Sequence, residues 1–425
     1  MTQLRDGIVD RLPKIPALRD ALLGIQKTPG LPLYVYDEQE AITNIRIFRD
    51  AFIAANVPLQ MCYAVKSNSF AGLLRAVVMH DVTLDVSSVR ELRLARSAGA
   101  KSIVYTGPAK TAVDFAEILF DPASVLVHLE SEREIRLLAA LAKEIGVRVR
   151  CGIRIQTTYQ SGWTKFGVPL KDLPRLLELA STLPNLDCMA IHFHISTSEL
   201  STDHADTLRL IAATALEHLS EVQRARITVI DIGGGFFPPS FEGVHSWNPR
   251  QIQDFLASDD HIAAILDDTY NPRYISIEAF PIKEYADAIA AAFRERVLPC
   301  FPNAILAAEP GRFIAHSTMH MLLTLIDLKD NQRGIADGGT NMIGWEKYQY
   351  FSYVPIFNIT QFSLEREIPF LLYGSLCTPD DIWSYYLHCS GVAEGDTIAV
   401  PYQGAYTYTL AQDFIRGVPD VVSLG

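Results

Sequence analysis

Eight short apolar runs with the two-residue spacing of strands recur through the first three quarters of the chain, at residues 60–66, 83–87, 102–106, 124–129, 149–155, 187–195, 227–232 and 304–309. Between them lie segments with leucines three and four residues apart, such as SVRELRLARSAGA, SEREIRLLAALAKEIG and TLRLIAATALEHLSEVQRA. Strand and helix in alternation call for parallel strands joined by helical crossovers, and eight such units suit a closed (β/α)8 barrel better than an open sheet. After about residue 315 the texture changes to β-prone runs without crossovers (MLLTLIDL, FNITQFS, FLLYGSLC, DTIAVPYQGAYTY), which predicts a second, mostly β domain. The fold class is therefore α/β with a C-terminal β domain. The expected divisions are an N-terminal segment, 1–44, joined to the β domain by a strand in PLYVYDE; a barrel over 45–315; and the β domain over 316–425.

Composition narrows the function. With 37 Lys+Arg against 49 Asp+Glu the formal charge is −12, which argues against a nucleic-acid grip. No run approaches the roughly 20 apolar residues needed to span a bilayer, and the opening MTQLRDGIVDRLPKIPALRD lacks the apolar core of a secretory signal, so a cytoplasmic location without membrane partners is expected. The six cysteines (Cys62, Cys151, Cys188, Cys300, Cys377, Cys389) show no CxxC or zinc-type spacing, and neither disulfides nor a metal are expected.

Barrel enzymes gather their chemistry at the C-terminal ends of the strands. Those ends carry Lys66-Ser67-Asn68, Asp85-Val86-Ser87-Ser88, Arg154, His192-Phe193-His194, Gly233-Gly234-Gly235 and Glu309-Pro310-Gly311-Arg312. The triple glycine could bring backbone N–H groups onto a phosphate, with Arg312 neutralising the same anion; a plain tight turn has the same sequence. Lys66 ends an apolar run, where desolvation favours a neutral amine able to form a Schiff base, though a lysine at a strand tip also simply reaches solvent. Glu309 could face a ring nitrogen, or be a surface residue before a Pro turn. His194 could stack on an aromatic ring or donate to backbone; His192 shares its face, as in metal sites, but no third ligand is evident. Amine, anion cradle and carboxylate together are what pyridoxal 5′-phosphate requires.

Eight segments in order, YAVKSN, DVSS, SGWTKFG, HFHIST, DIGGGF, EPGR, CTPDD and GAYTY, resemble the motifs of the fold-type III pyridoxal phosphate decarboxylases, the diaminopimelate and ornithine decarboxylase family. The resemblance implies an alanine racemase-like barrel and a carboxy-lyase acting on an amino acid. By it, Lys66 bonds the coenzyme and Asp85 lies beside it. His194 stacks on the ring, Gly233, Gly234, Gly235, Gly311 and Arg312 hold the phosphate with Thr197 and Tyr406, and Glu309 pairs with the ring nitrogen. It further implies that Cys377, from a partner subunit, handles the proton returned to the α-carbon. Arg154, Tyr348, Thr378 and Asp381 become substrate-side residues, and Lys165 facing Asp381 an interface ion pair of a homodimer with shared sites.

Three departures bear on the substrate. The family's HxGS reads His194-Ile195-Ser196-Thr197 here. Thr378 replaces the acidic residue that grasps a distal amine, and a neutral hydroxyl cannot offset the desolvation of an ammonium. The arginine that diaminopimelate enzymes use for the distal carboxylate falls at Gly344, with Tyr348 retained. The CTPDD segment resembles the branch acting on conjugated diamino acids in siderophore and antibiotic assembly, such as a citryl-diaminopropionate. Diaminopimelate, ornithine or lysine as substrate, and a non-catalytic regulator of a related decarboxylase, are the alternatives; the intact Lys66, Glu309, Arg312 and Cys377 speak against a regulator. Racemisation on the same scaffold is disfavoured by a carboxylate at the ring nitrogen.

Overall fold

The computed structural model describes residues 14–157, 164–195, 200–238, 242–245, 274–277, 280–344 and 352–424. The chain forms two compact units: Ala41–Phe237 with Phe280–Ile314, and Met1–Glu40 with Pro238–Ala279 and Ala315–Gly425. Strands are numbered in chain order. After β1 (Leu33–Tyr36) the chain forms β2 (Leu59–Ala64), β3 (Thr83–Val86), β4 (Ile103–Tyr105), β5 (Val125–Leu129), β6 (Val149–Arg154), β7 (Leu186–His192) and β8 (Val229–Asp231). Next come β9 (Glu242–His245), β10 (Tyr274–Ile277) and β11 (Ile305–Ala308). Strands β2 to β8 lie side by side, and β11 closes the circle by pairing in parallel with both β8 and β2.

All eight strands expected for the barrel are there. Two end more than one residue earlier than expected: residues 65–67 curl into one 3-10 turn, and the strand expected to reach 195 stops at His192. Every residue of β5 is buried, as parallel strands covered on both faces require. Cys62, Val104, Leu126, Ala190, Val229 and Ala307, one each from six barrel strands, pack together as an interior layer. Several helices start on side-chain caps. Ser88 accepts from the Glu91 N–H and Ser131 from the Glu134 N–H, and the helix Glu132–Ile145 ends at Gly146 with φ +78°.

In the second unit β12 (Met319–Asp330), β13 (Arg333–Ala336), β14 (Ser352–Tyr353), β15 (Phe357–Asn358), β16 (Glu367–Tyr373), β17 (Ile382–His388), β18 (Thr397–Val400) and β19 (Val421–Ser423) follow. Eight strands form one sheet in the order β13-β16-β17-β15-β18-β12-β1-β19. Thus β1, the run expected in PLYVYDE, lies antiparallel to β12 and parallel to β19.

The division differs from the expected one in two places. The helix Glu38–Ala54 joins the barrel unit from Ala41, with Asn44 donating to the Ile314 carbonyl at 3.0 Å. Residues 238–279, expected in the barrel, group with the second unit, where β9 pairs with β14. No helix among the described residues is long and apolar enough to cross a membrane.

Candidate active site

The ends of six barrel strands bring polar residues into contact with one another. Lys66, on the turn after β2, places Nζ 3.7 Å from Oδ2 of Asp85 on β3. The lysine side chain is one-third exposed and Asp85 is fully buried. The other oxygen of Asp85 accepts from Thr106 Oγ1 at 2.7 Å. Burial, and then the neighbouring Glu309, push the Asp85 carboxyl well above the usual range, with Lys66 pulling the other way.

Glu309 follows β11, and its N–H donates to the Gly233 carbonyl at 2.7 Å. Its buried carboxylate lies between two imidazoles, Oε1 3.3 Å from His192 Nε2 and Oε2 3.2 Å from His194 Nδ1. Burial opposes its charge, but the imidazoles and Lys66 outweigh it and hold Glu309 well below the usual carboxylate range. Burial pushes both imidazoles down, His192 well below its ordinary value and His194 to about 4, with Glu309 pulling the other way.

The triple glycine follows β8 and is required by backbone contact. Gly235 has φ +95°, and a Cβ there would stand 2.1 Å from the Ile195 carbonyl oxygen. Two of its N–H groups are already engaged, Gly233 by Asp231 Oδ1 at 3.0 Å and Gly234 by His194 Nδ1 at 3.1 Å. Any phosphate contact would be additional to these bonds. Gly311 lets the exit of β11 lie against the lysine turn, a Cβ there meeting Ala64 Cβ at 2.9 Å, and Arg312 sits in the short helix Gly311–Ala315. Arg154, at the end of β6, donates to Glu130 Oε1 at 2.9 Å and lies 4.6 Å over the Phe166 ring.

In the second unit Cys377 is exposed, and Tyr406 holds the left-handed backbone, φ +54°. Asp381, expected to face substrate and Lys165, is instead buried as a loop-building carboxylate. Oδ1 accepts from the Thr340 N–H and hydroxyl, both at 2.7 Å, and Oδ2 from the Leu376 N–H at 2.6 Å. Thr378 donates no side-chain contact to it; its hydroxyl accepts weakly from the Asp380 N–H at 3.4 Å. Thr197 and Tyr348 lie outside the described residues.

Four polar residues escaped the sequence reading. Thr106 and Glu130 follow β4 and β5, the two strand ends left off the polar inventory; Glu130 also accepts from the Gly167 N–H at 2.9 Å. Asp231 and His128, both fully buried, stand 3.3 Å apart. Their signal was a charge inside an otherwise apolar run. His192, His194 and Glu309 offer donor atoms within 4.8 Å of one another, the third metal donor that spacing alone did not reveal. The Gly234 N–H occupies His194 Nδ1, so a metal there would have to displace that bond.

Asp85 Oδ2 is a buried acceptor with no hydrogen-bond donor among the described residues, and the buried Glu309 carboxylate meets imidazole nitrogens. Such acceptors beside a lysine fit a group bringing a cationic ring nitrogen and an aldehyde, as pyridoxal 5′-phosphate does. An amine and a buried acid at the C-terminal rim of a parallel barrel, with a separate β unit, define the alanine racemase-like class of pyridoxal enzymes. The chain belongs to the pyridoxal-dependent decarboxylases, whose pyridoxal-binding domain pattern matches residues 39–316. It is a carboxy-lyase that uses pyridoxal 5′-phosphate.

Among its relatives is diaminopimelate decarboxylase of Archaeoglobus fulgidus, 24% identical over 92% of this chain and 86% of that protein. The fold is similar to that of Helicobacter pylori diaminopimelate decarboxylase complexed with L-lysine, with a TM-score of 0.74 at 21% identity, covering 96% of this chain and 94% of the other. It also resembles the lysine/ornithine decarboxylase of Vibrio vulnificus complexed with cadaverine, with a TM-score of 0.71 at 18% identity over 97% and 98% of the two chains.

Proposed function

We propose that the enzyme removes an α-carboxylate from diaminopimelate, leaving lysine. The observation that carries this reading is similarity to diaminopimelate decarboxylases along nearly the whole of both chains. Pyridoxal phosphate, when bound, supplies an electron sink for the pair left at the α-carbon as CO₂ departs. Lys66 would hold the aldehyde carbon, and Asp85 would place its carboxyl beside the Lys66 amine. Glu309 would keep a proton on the ring nitrogen, His194 would serve the ring, and Gly233 to Gly235, Gly311, Arg312, Thr197 and Tyr406 would serve the phosphate. Arg154, its charge offset by Glu130, Tyr348 and Thr378 serve the substrate. Cys377, brought by a second copy of the chain in a homodimer, returns a proton to the α-carbon.

A second reading, a conjugated diamino acid of the citryl-diaminopropionate kind in siderophore assembly, is favoured by Gly344. Its φ is +76° and a Cβ there would stand 2.6 Å from Leu410 Cβ, so this backbone does not accommodate an arginine for a distal carboxylate. Thr378 points the same way. Measuring CO₂ release from diaminopimelate, free lysine and ornithine, and citryl-conjugated diamino acids separates the readings. Release from diaminopimelate supports the first; release from conjugates alone replaces it with the second.

A further inference from the structure

The Glu309 carboxylate is the buried end of a contact chain that starts at the glycine run. The Gly233 N–H donates to Asp231 Oδ1 at 3.0 Å, and Asp231 Oδ2 stands 3.3 Å from His128 Nε2. The His128 ring stacks on His192 with centroids 4.4 Å apart and planes 14° from parallel, and His192 Nε2 stands 3.3 Å from Glu309 Oε1. Every member of this chain is buried.

The two imidazoles beside Glu309 are not equivalent. The Gly234 N–H donates to His194 Nδ1, so that nitrogen carries a lone pair and has no hydrogen to give Glu309. His192 Nε2 and Glu309 Oε1, by contrast, face each other with no other hydrogen-bond partner among the described residues. A buried carboxylate without a donor is costly, and catalytic hydrogen bonds are often long before the site is loaded.

We propose that His192 is the positioning residue of Glu309: its Nε2–H holds Oε1 and leaves Oε2 for the coenzyme ring nitrogen. The proposal rests on the assignment of Glu309 to that nitrogen. His128, stacked on the far face, fixes the plane of the His192 ring, and Asp231 fixes His128 in turn. A histidine present only to fill space would need neither its hydrogen nor its orientation toward Glu309.

The test is a double-mutant cycle in the coenzyme-loaded enzyme, using a substrate that releases CO₂. His192→Phe keeps the stacked ring and removes the donor, His192→Gln keeps an N–H, and each is combined with Glu309→Gln. Coenzyme affinity is read from the change in visible absorbance on titration with pyridoxal phosphate, beside kcat and KM. We expect His192→Phe to weaken coenzyme binding and lower kcat by about tenfold to a hundredfold, as for loss of one hydrogen bond to a charged group, with KM within about twofold. His192→Gln should recover most of the loss, and His192→Phe should cost less than about twofold once Glu309 is Gln. Equal losses in both backgrounds, or no loss in a folded His192→Phe, overturn the proposal.

Nitrogen NMR of the wild-type imidazoles decides the point should the Phe variant not fold: His192 protonated at Nε2 supports it, and at Nδ1 overturns it. An effect-free Glu309→Gln would instead sink the assignment of Glu309 itself.

Discussion

Two buried acids within reach of one lysine would be expensive to keep without a cationic or polar guest, and this expense separates the site residues from the structural ones. Replacing Glu309 with Ala should lower CO₂ release by about a hundredfold to a thousandfold, the scale for losing a placed electrostatic partner, with the protein still folded; an unchanged rate contradicts its role. Asp381→Ala should behave in the opposite way. It strands the Thr340 and Leu376 N–H groups in a buried loop and should cost about 2–4 kcal/mol in urea unfolding while leaving coenzyme absorbance intact. Loss of absorbance without loss of stability would return Asp381 to the site. The placement of Lys66, Asp85, Arg154, His194 and Glu309 at strand ends was legible because a polar residue at the end of an apolar strand stands out. The role of Asp381 was not, since its partner Thr340 is remote in sequence and its motif neighbours suggested substrate instead.

At the level of elements, the barrel was readable because its strands are short, apolar and separated by helical segments. β17 was missed: its residues are buried almost throughout, so no polar alternation marks it. Gly235 illustrates how one element exit constrains another, since the end of β8 must pass against Ile195 after β7. Gly235→Ala should lower stability by several kcal/mol, about 3 or more, because both its positive φ and its contact with backbone forbid a Cβ. A variant with unchanged melting would show that the two exits are not held this closely. Ser131→Ala should cost only about 1 kcal/mol, the worth of one helix cap; measuring both variants together ranks strand exit against cap.

For the whole molecule, the first barrel boundary was nearly legible, but the assignment of residues 238–279 was not: β9 pairs with β14 over a separation that no local pattern encodes. Buried histidines also give the protein an acid weakness. His204, whose Nε2–H donates to the Gly234 carbonyl at 2.8 Å, is lowered from 6.5 to about 4 by burial, against the pull of that carbonyl. Between those pH values the unfolded chain takes up a proton that the folded one refuses, so unfolding becomes easier as pH falls and the effect is absent above about pH 7. Asp85 and Asp231, raised by burial, work in the opposite sense, so the difference between wild type and His204→Phe is the useful quantity. Relative to the variant, wild type should lose about 3 kcal/mol between pH 6.5 and 4 in urea unfolding; a pH-independent difference would contradict a neutral buried His204. The central claim, that Lys66 carries the coenzyme in a site completed by Glu309, is tested most directly by reducing the coenzyme-loaded protein with borohydride and mapping the modified peptide. The account predicts a pyridoxyl group on Lys66 and none in Lys66→Ala; modification at another lysine, or none in wild type, would contradict it.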